Sequence, residues 1–205
     1  MENITQKPVY YVFCGIDGVL WDLDSGFLIH GPYLSAIDSP VLKPESVQAL
    51  NLLLKSLEKE FDTRLIITSK KRRDLSFCAS YLSHNHLDYD KPLFATRFTE
   101  GLRGEKIIDF MQQDNQDPMQ ATSLGDRLFE IIGRQKANGT FSNYVVIEDN
   151  QKVIKKHIPA ERTIKTDLKH GALSTPQVVA YLMNNNLCID DAYFNKIANA
   201  KQFEA

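Results

Sequence analysis

The sequence predicts an α/β fold with a central parallel sheet, and three observations carry that expectation. Continuous apolar runs at Val9–Phe13, Leu65–Ile67 and Tyr144–Ile147 have the character of buried parallel strands. Each run stops abruptly at polar or acidic residues, and the segments between them repeat their apolar residues at helical spacing. Strands that alternate with helices build a Rossmann-like three-layer sandwich, in which residues just past neighbouring strand ends converge on one crevice.

At 205 residues the chain fits one domain, 1–205, and its 43% hydrophobic and 24% charged content is ordinary for a globular protein. A net charge of -2 lacks the basic surplus of a nucleic-acid binder. Cys14, Cys78 and Cys188 are widely spaced among apolar residues and read as reduced, buried thiols. No apolar run approaches membrane-spanning length, and residues 1–7 lack the basic and apolar regions of a signal peptide. A cytoplasmic location is the default, and secretion by a route that needs no N-terminal signal stays open.

Taken in order, Val9–Phe13 forms the first strand after Pro8. It is followed by the turn at Asp17-Gly18 and by a flap over about 21–40, where Asp24-Ser25-Gly26 and Gly31-Pro32 break any long helix. Lys43-Pro44-Glu45 opens a helix, with proline and an acid in its first turn. Val47, Leu50, Leu53, Leu54, Leu57 and Phe61 supply the apolar face. Leu65–Ile67 is the second strand and ends in Thr68-Ser69; helical periodicity resumes from Lys70 to Leu82. Pro92–Ala95 is a short strand candidate, and helices are expected over Glu105–Gln113 and Leu124–Ala137, the second closed by Asn138-Gly139. Tyr144–Ile147 runs straight into Glu148-Asp149. Arg162–Ile164 reads as an edge strand, Ser174-Thr175-Pro176 caps a further helix, and the tail at about 184–205 forms the last.

Three strand ends thus carry polar groups, namely Asp17, Thr68-Ser69 and Glu148-Asp149. Together with Arg103-Gly104-Glu105, the segments Ile16–Asp22, Ile66–Lys70 and Val146–Asp149 resemble, in order, the four motifs of the haloacid-dehalogenase-like (HAD) hydrolases. Leu168–Ser174 is similar to the family's closing loop and helix, so the resemblance spans nearly the whole chain. The first and fourth motifs are specific; the second and third count mainly for their order.

The resemblance implies a Mg²⁺-dependent phosphatase with a small flap instead of a large cap. Phosphoryl transfer needs a positioned nucleophile, a cation and donors around the phosphate oxygens. On this resemblance Asp17 is the general acid/base, with its backbone carbonyl near the metal. Thr68 donates to the phosphoryl group with Ser69 as its understudy, and Gly18 lies on the substrate side. Glu148 and Asp149 hold Mg²⁺ in an all-oxygen site suited to a hard cation. Arg103 is favoured for the basic role of the third motif, with Lys106 one helical turn on as the alternative.

Gly15 departs from the pattern. It stands at the nucleophile position and brings neither a nucleophile nor a metal ligand, and loss of a catalytic nucleophile costs roughly 10⁴- to 10⁶-fold in turnover. Adjacent Cys14 points to the opposite face of its strand. Asp22 and Asp24 repeat the Asp-x-Asp spacing but belong with the flap, and Gly125-Asp126 lacks the preceding strand of a fourth motif. The basic run Lys70–Arg73 suits an anionic substrate or a solvated helix start, and the five histidines lack metal-ligand spacing. Two readings stand at this point. One is a phosphatase for phosphoprotein or phosphotyrosine-type substrates, in the manner of a secreted bacterial effector, impaired by Gly15. The other is a pseudoenzyme that binds phosphorylated partners through the same crevice. A receiver domain fits less well, because Thr68-Ser69 stands where a phosphorylatable aspartate belongs.

Overall fold

A computed structural model describes residues 7–21, 42–69, 74–96, 143–149, 158–169 and 171–202. Strand β1 is Val9–Cys14, helix α1 Pro44–Glu58, β2 Asp62–Ile67, α2 Leu75–His84, β3 Phe94–Ala95, β4 Tyr144–Glu148 and β5 Thr163–Lys165. Helices α3 (Thr175–Asn184) and α4 (Asp191–Gln202) complete the described elements. The five strands form one sheet in the order β3-β2-β1-β4-β5, and every pairing is parallel. An α/β fold is therefore present. From β1 the chain builds outward through β2 and β3, then returns to the other side of β1 for β4 and β5. The reversal point lies between β1 and β4, where open parallel sheets form their binding crevice.

Alternation along β1 divides its side chains between the two faces. Tyr10, Val12 and Cys14 join Leu65, Ile67, Val145 and Ile147 in the main core, together with buried residues of α1, α2 and α3. Tyr11, Phe13, Ile66, Tyr144 and Val146 lie outside that cluster, yet they too are buried. Both faces are thus shielded from water, as an all-parallel sheet requires.

Pro44 and Glu45 open α1 as its sequence suggests, and Leu50, Leu53, Leu54 and Leu57 are fully enclosed. Each such leucine contributes about 1.5–3 kcal/mol of burial free energy. Polar residues of α1 also pack inward: Asn51 donates from Nδ2 to the His86 carbonyl at 3.0 Å and accepts the Asp88 N–H at 2.8 Å. Phe61 lies past the helix end and meets the Tyr10 ring edge-on, with centroids 5.0 Å apart. On α3, the Ser174 N–H donates to Gln177 Oε1 at 2.9 Å, which closes the first turn. No described helix is long and apolar enough to cross a membrane.

Several boundaries differ from expectation. Helix α2 starts at Leu75 because Asp74 caps it, accepting the Phe77 N–H at 2.8 Å. Strand β2 begins at Asp62, three residues before its apolar run, because parallel pairing with β1 extends back to Val9. Arg162 belongs to a 3₁₀ turn, Ala160–Arg162, ahead of β5. Cys14 and Cys78 are buried, but Cys188 is exposed. It sits in the connection between α3 and α4, where its apolar neighbours Leu187 and Ile189 pack inward and turn the thiol outward. The flap, the helices expected over 105–113 and 124–137, Lys70–Arg73, Asp22, Asp24 and Gly125-Asp126 fall outside the described residues.

Candidate functional site

Backbone hydrogen bonds continue past the strand ends and set the polar residues in a row. Thr96 donates to the Ile67 carbonyl at 3.3 Å, Thr68 to Cys14 at 3.0 Å, Gly15 to Ile147 at 3.1 Å and Thr166 to Glu148 at 3.3 Å. The carboxyl edge of the sheet therefore presents Thr96, Thr68, Gly15, Glu148 and Thr166 side by side across all five strands. All three threonines and Glu148 are buried. Thr96 and Thr166 went unnoticed in the sequence, where a threonine following a two- or three-residue strand carries no distinguishing pattern.

Asp17 sits above this row, half-buried, in a turn closed by N–H donation from Leu20 to the Ile16 carbonyl at 2.9 Å. Its carboxylate is held from two sides. Ser69 Oγ donates to Oδ2 at 3.1 Å and Trp21 Nε1 donates to Oδ1 at 3.1 Å. The structure thus joins the first strand end to the second through Ser69. The Asp17 charge also reaches α2: burial first, and then that charge, push the Tyr81 phenol well above its ordinary range. Tyr81 is an unforeseen neighbour of the site, because its helical spacing marks it only as a core residue.

Gly15 and Gly18 bring the end of β1 and the turn after it against Glu148, the last residue of β4, and Asp149, which follows it. A Cβ on Gly15 would lie 3.6 Å from Glu148 Oε2 and 3.7 Å from the Ile147 carbonyl, with Val19 Cγ2 closer at 3.0 Å. Gly18 adopts φ 72°, a left-handed conformation that favours glycine. Asp149 packs directly on it: a Cβ there would come within 2.6 Å of Asp149 Cβ and Cγ. Glu148 is fully buried beside residue 15, and Asp149 is half-exposed beside Gly18. Cys14 is no substitute nucleophile. Its thiol is wholly buried, donates to the Gly15 carbonyl at 3.0 Å, and is pushed up by burial and by the Glu148 charge.

The loop after β5 completes the wall. Asp167 and Gly171 exchange backbone hydrogen bonds of 2.8 and 3.0 Å, and the Leu173 N–H donates to the Val19 carbonyl at 2.7 Å. That last bond ties the loop to the turn carrying Asp17.

Asp17, Ser69, Gly15, Glu148, Gly18 and Asp149 therefore share one rim at the point where strand order reverses. Arg103 and Lys106 lie outside the described residues. Carboxylate oxygens are the donors that a hard divalent cation takes. Among the described residues, however, no three acidic, histidine or cysteine side chains gather closely enough to hold a metal ion. Comparison of the chain with protein-family models, with curated proteins and with solved structures returned no match.

Proposed function

We propose that the chain is a phosphoryl-handling domain of the HAD phosphatase type whose attacking carboxylate is missing at Gly15. The observation that carries this reading is the placement of Gly15: it directly follows β1, its N–H donates to the Ile147 carbonyl at 3.1 Å, and a Cβ there would lie 3.6 Å from Glu148 Oε2. An aspartate at that position would pair with Glu148 and Asp149 to supply the oxygen donors that the described residues do not gather by themselves. Bound Mg²⁺ would supply charge neutralisation at the phosphate oxygens.

In this reading Asp17 holds the proton for the leaving oxygen, and Ser69 and Trp21 fix the direction of its carboxyl group. Thr68 and Ser69 supply hydroxyl donors to the phosphate oxygens. Arg103 or Lys106 balances its charge. Phosphorylated protein, with phosphotyrosine as the favoured type, is the proposed substrate class.

A second reading is favoured by one contact. Val19 Cγ2 stands 3.0 Å from where a Cβ on residue 15 would be, so glycine leaves Val19 in place where a side chain would displace it by a few tenths of an ångström. A domain that binds a phosphorylated partner without turning it over meets that observation directly.

Assay of the chain and its Gly15→Asp form with Mg²⁺ against p-nitrophenyl phosphate and phosphotyrosine peptides separates the readings. Hydrolysis only by the Gly15→Asp form is the expected result for a disabled phosphatase. Inactivity of both folded forms, with phosphopeptide binding retained, supports the second reading. Inactivity with no phosphopeptide binding overturns both.

A further inference from the structure

Helices α2 and α3 end in the same way. Tyr81-Leu82-Ser83-His84-Asn85-His86-Leu87 closes α2, and Tyr181-Leu182-Met183-Asn184-Asn185-Asn186-Leu187 closes α3. In both, the tyrosine and the first leucine are buried, and the asparagine Nδ2 donates back to the tyrosine carbonyl, at 2.8 Å from Asn85 and 2.9 Å from Asn185. The next residue is left-handed in each case, His86 at φ 66° and Asn186 at φ 53°. The second leucine then donates its N–H to the carbonyl of the first, at 3.0 Å for Leu87 and 2.9 Å for Leu187. That bond is the one that ends a helix through a left-handed residue. Closing the helix is therefore a task both asparagines share.

What differs is the remaining contact of each side chain. Asn185 Nδ2 also donates to the Glu161 carbonyl at 3.3 Å, ahead of β5. Asn85 instead offers Oδ1 to the Leu42 N–H at 3.2 Å. Leu42 is buried and stands just before Lys43, the residue at the start of α1. Lys43 donates its N–H to the Leu20 carbonyl at 2.8 Å, and the Leu20 N–H closes the Asp17 turn on the Ile16 carbonyl at 2.9 Å. Trp21, the next residue, holds Asp17 Oδ1 at 3.1 Å. The far end of this path is itself fixed, because Asn51 bonds the His86 carbonyl at 3.0 Å and the Asp88 N–H at 2.8 Å. A continuous run of hydrogen bonds and short chain segments thus leads from the end of α2 to the candidate acid/base.

We propose that Asn85 is a positioning residue for Asp17, acting through Leu42, Lys43 and Leu20 on the turn that carries the carboxylate. Its bearing on chemistry rests on the phosphoryl-handling reading; the positioning itself does not. The test is NMR of the full chain, with two signals. One is the indole N–H of Trp21, the chain's only tryptophan, and the other is hydrogen exchange at the Lys43 amide. Asn85→Ala should move the indole resonance and speed Lys43 exchange roughly tenfold, equivalent to about 1.4 kcal/mol of local opening. Asn185→Ala removes the same clasp from the matching helix, so it should lower stability comparably in urea and leave both signals in place. Asn85→Asp keeps an oxygen for the Leu42 N–H but loses the donation to the Tyr81 carbonyl, and it should return both signals toward those of the parent chain. Unchanged signals in Asn85→Ala, equal changes in the two alanine variants, or Asn85→Asp behaving like Asn85→Ala would each overturn the proposal. Neither signal needs turnover, so both judge the positioning role separately from the Gly15→Asp assay, whose failure counts against the phosphatase reading alone.

Discussion

Aspartate at position 15 would put a second carboxylate beside a buried one, and the structure sets the size of the penalty. Gly15 has no positive φ, so a side chain meets no backbone strain there. Two costs remain. Val19 Cγ2, at 3.0 Å from the new Cβ, must yield by a few tenths of an ångström. Glu148 Oε2, at 3.6 Å, then faces the added carboxylate. Asparagine imposes the same crowding without the charge, so the difference between Gly15→Asp and Gly15→Asn isolates the electrostatic part. At a carboxylate separation of about 5 Å and an effective dielectric constant of about 20, that part is on the order of 3 kcal/mol. Urea unfolding of the two variants should show the aspartate form less stable by that order. A divalent cation held by both carboxylates should then narrow the gap, by about 2.7 kcal/mol at a concentration 100 times its Kd. Equal stability of the two variants without metal, or equal stabilisation of both by Mg²⁺, would refute the placement of Glu148 against position 15.

Two further effects follow from the same geometry. Gly18→Ala combines a left-handed backbone at φ 72° with a Cβ 2.6 Å from Asp149, and should cost roughly 2–4 kcal/mol; a loss below about 0.5 kcal/mol in urea unfolding would contradict the packing of Asp149 on this turn. At the opposite end of the sheet, Tyr10 Oη and Tyr181 Oη lie 2.7 Å apart, and Tyr181 Oη donates to the Tyr144 carbonyl at 3.2 Å. Burial is the leading cause that raises all three phenols, Tyr144 to about 12. Below the unfolded value of about 10 both states keep these protons and stability is at its full level; as pH rises past that value only the unfolded chain releases them. Stability should therefore fall between about pH 10 and pH 12, at up to about 1.4 kcal/mol per pH unit for each tyrosine. Tyr181→Phe should flatten that fall in urea midpoints, and an unchanged slope would contradict the network.

Strand positions were legible because their signal is local: an apolar run that stops at a polar residue reads the same way before and after folding. Asp17, Glu148 and Asp149 stand out in the sequence for that reason, since each lies just past or at the end of such a run. Sheet order was not legible, because adjacency of β1 to both β2 and β4 depends on pairing across distant segments. That adjacency is what brings Gly15 to Glu148 and Gly18 to Asp149. Ser69 ranked below Thr68 in the sequence because both hydroxyls follow β2. That Ser69 Oγ reaches Asp17 follows from the turn geometry there, which the sequence does not show. Thr96, Thr166 and Tyr81 were missed for the same reason: nothing local separates a hydroxyl that borders a crevice from one that closes a strand or fills a core. Exposure of Cys188 likewise depends on how the α3–α4 connection packs and not on the apolar character of its neighbours.

The central claim is that position 15 is the place where a phosphoryl group would be attacked, with Asp17 as its acid/base partner. Its most direct test is a trapping measurement on the chain carrying both Gly15→Asp and Asp17→Asn. p-Nitrophenolate leaves without needing a proton, whereas release of the phosphoryl group by water needs the base that Asp17→Asn removes. Incubated with Mg²⁺ and p-nitrophenyl phosphate and then quenched in acid, this protein should show by intact and peptide mass spectrometry one added phosphoryl group, located on residue 15. A folded protein that gains no phosphoryl group, or gains it at another residue, would contradict the account.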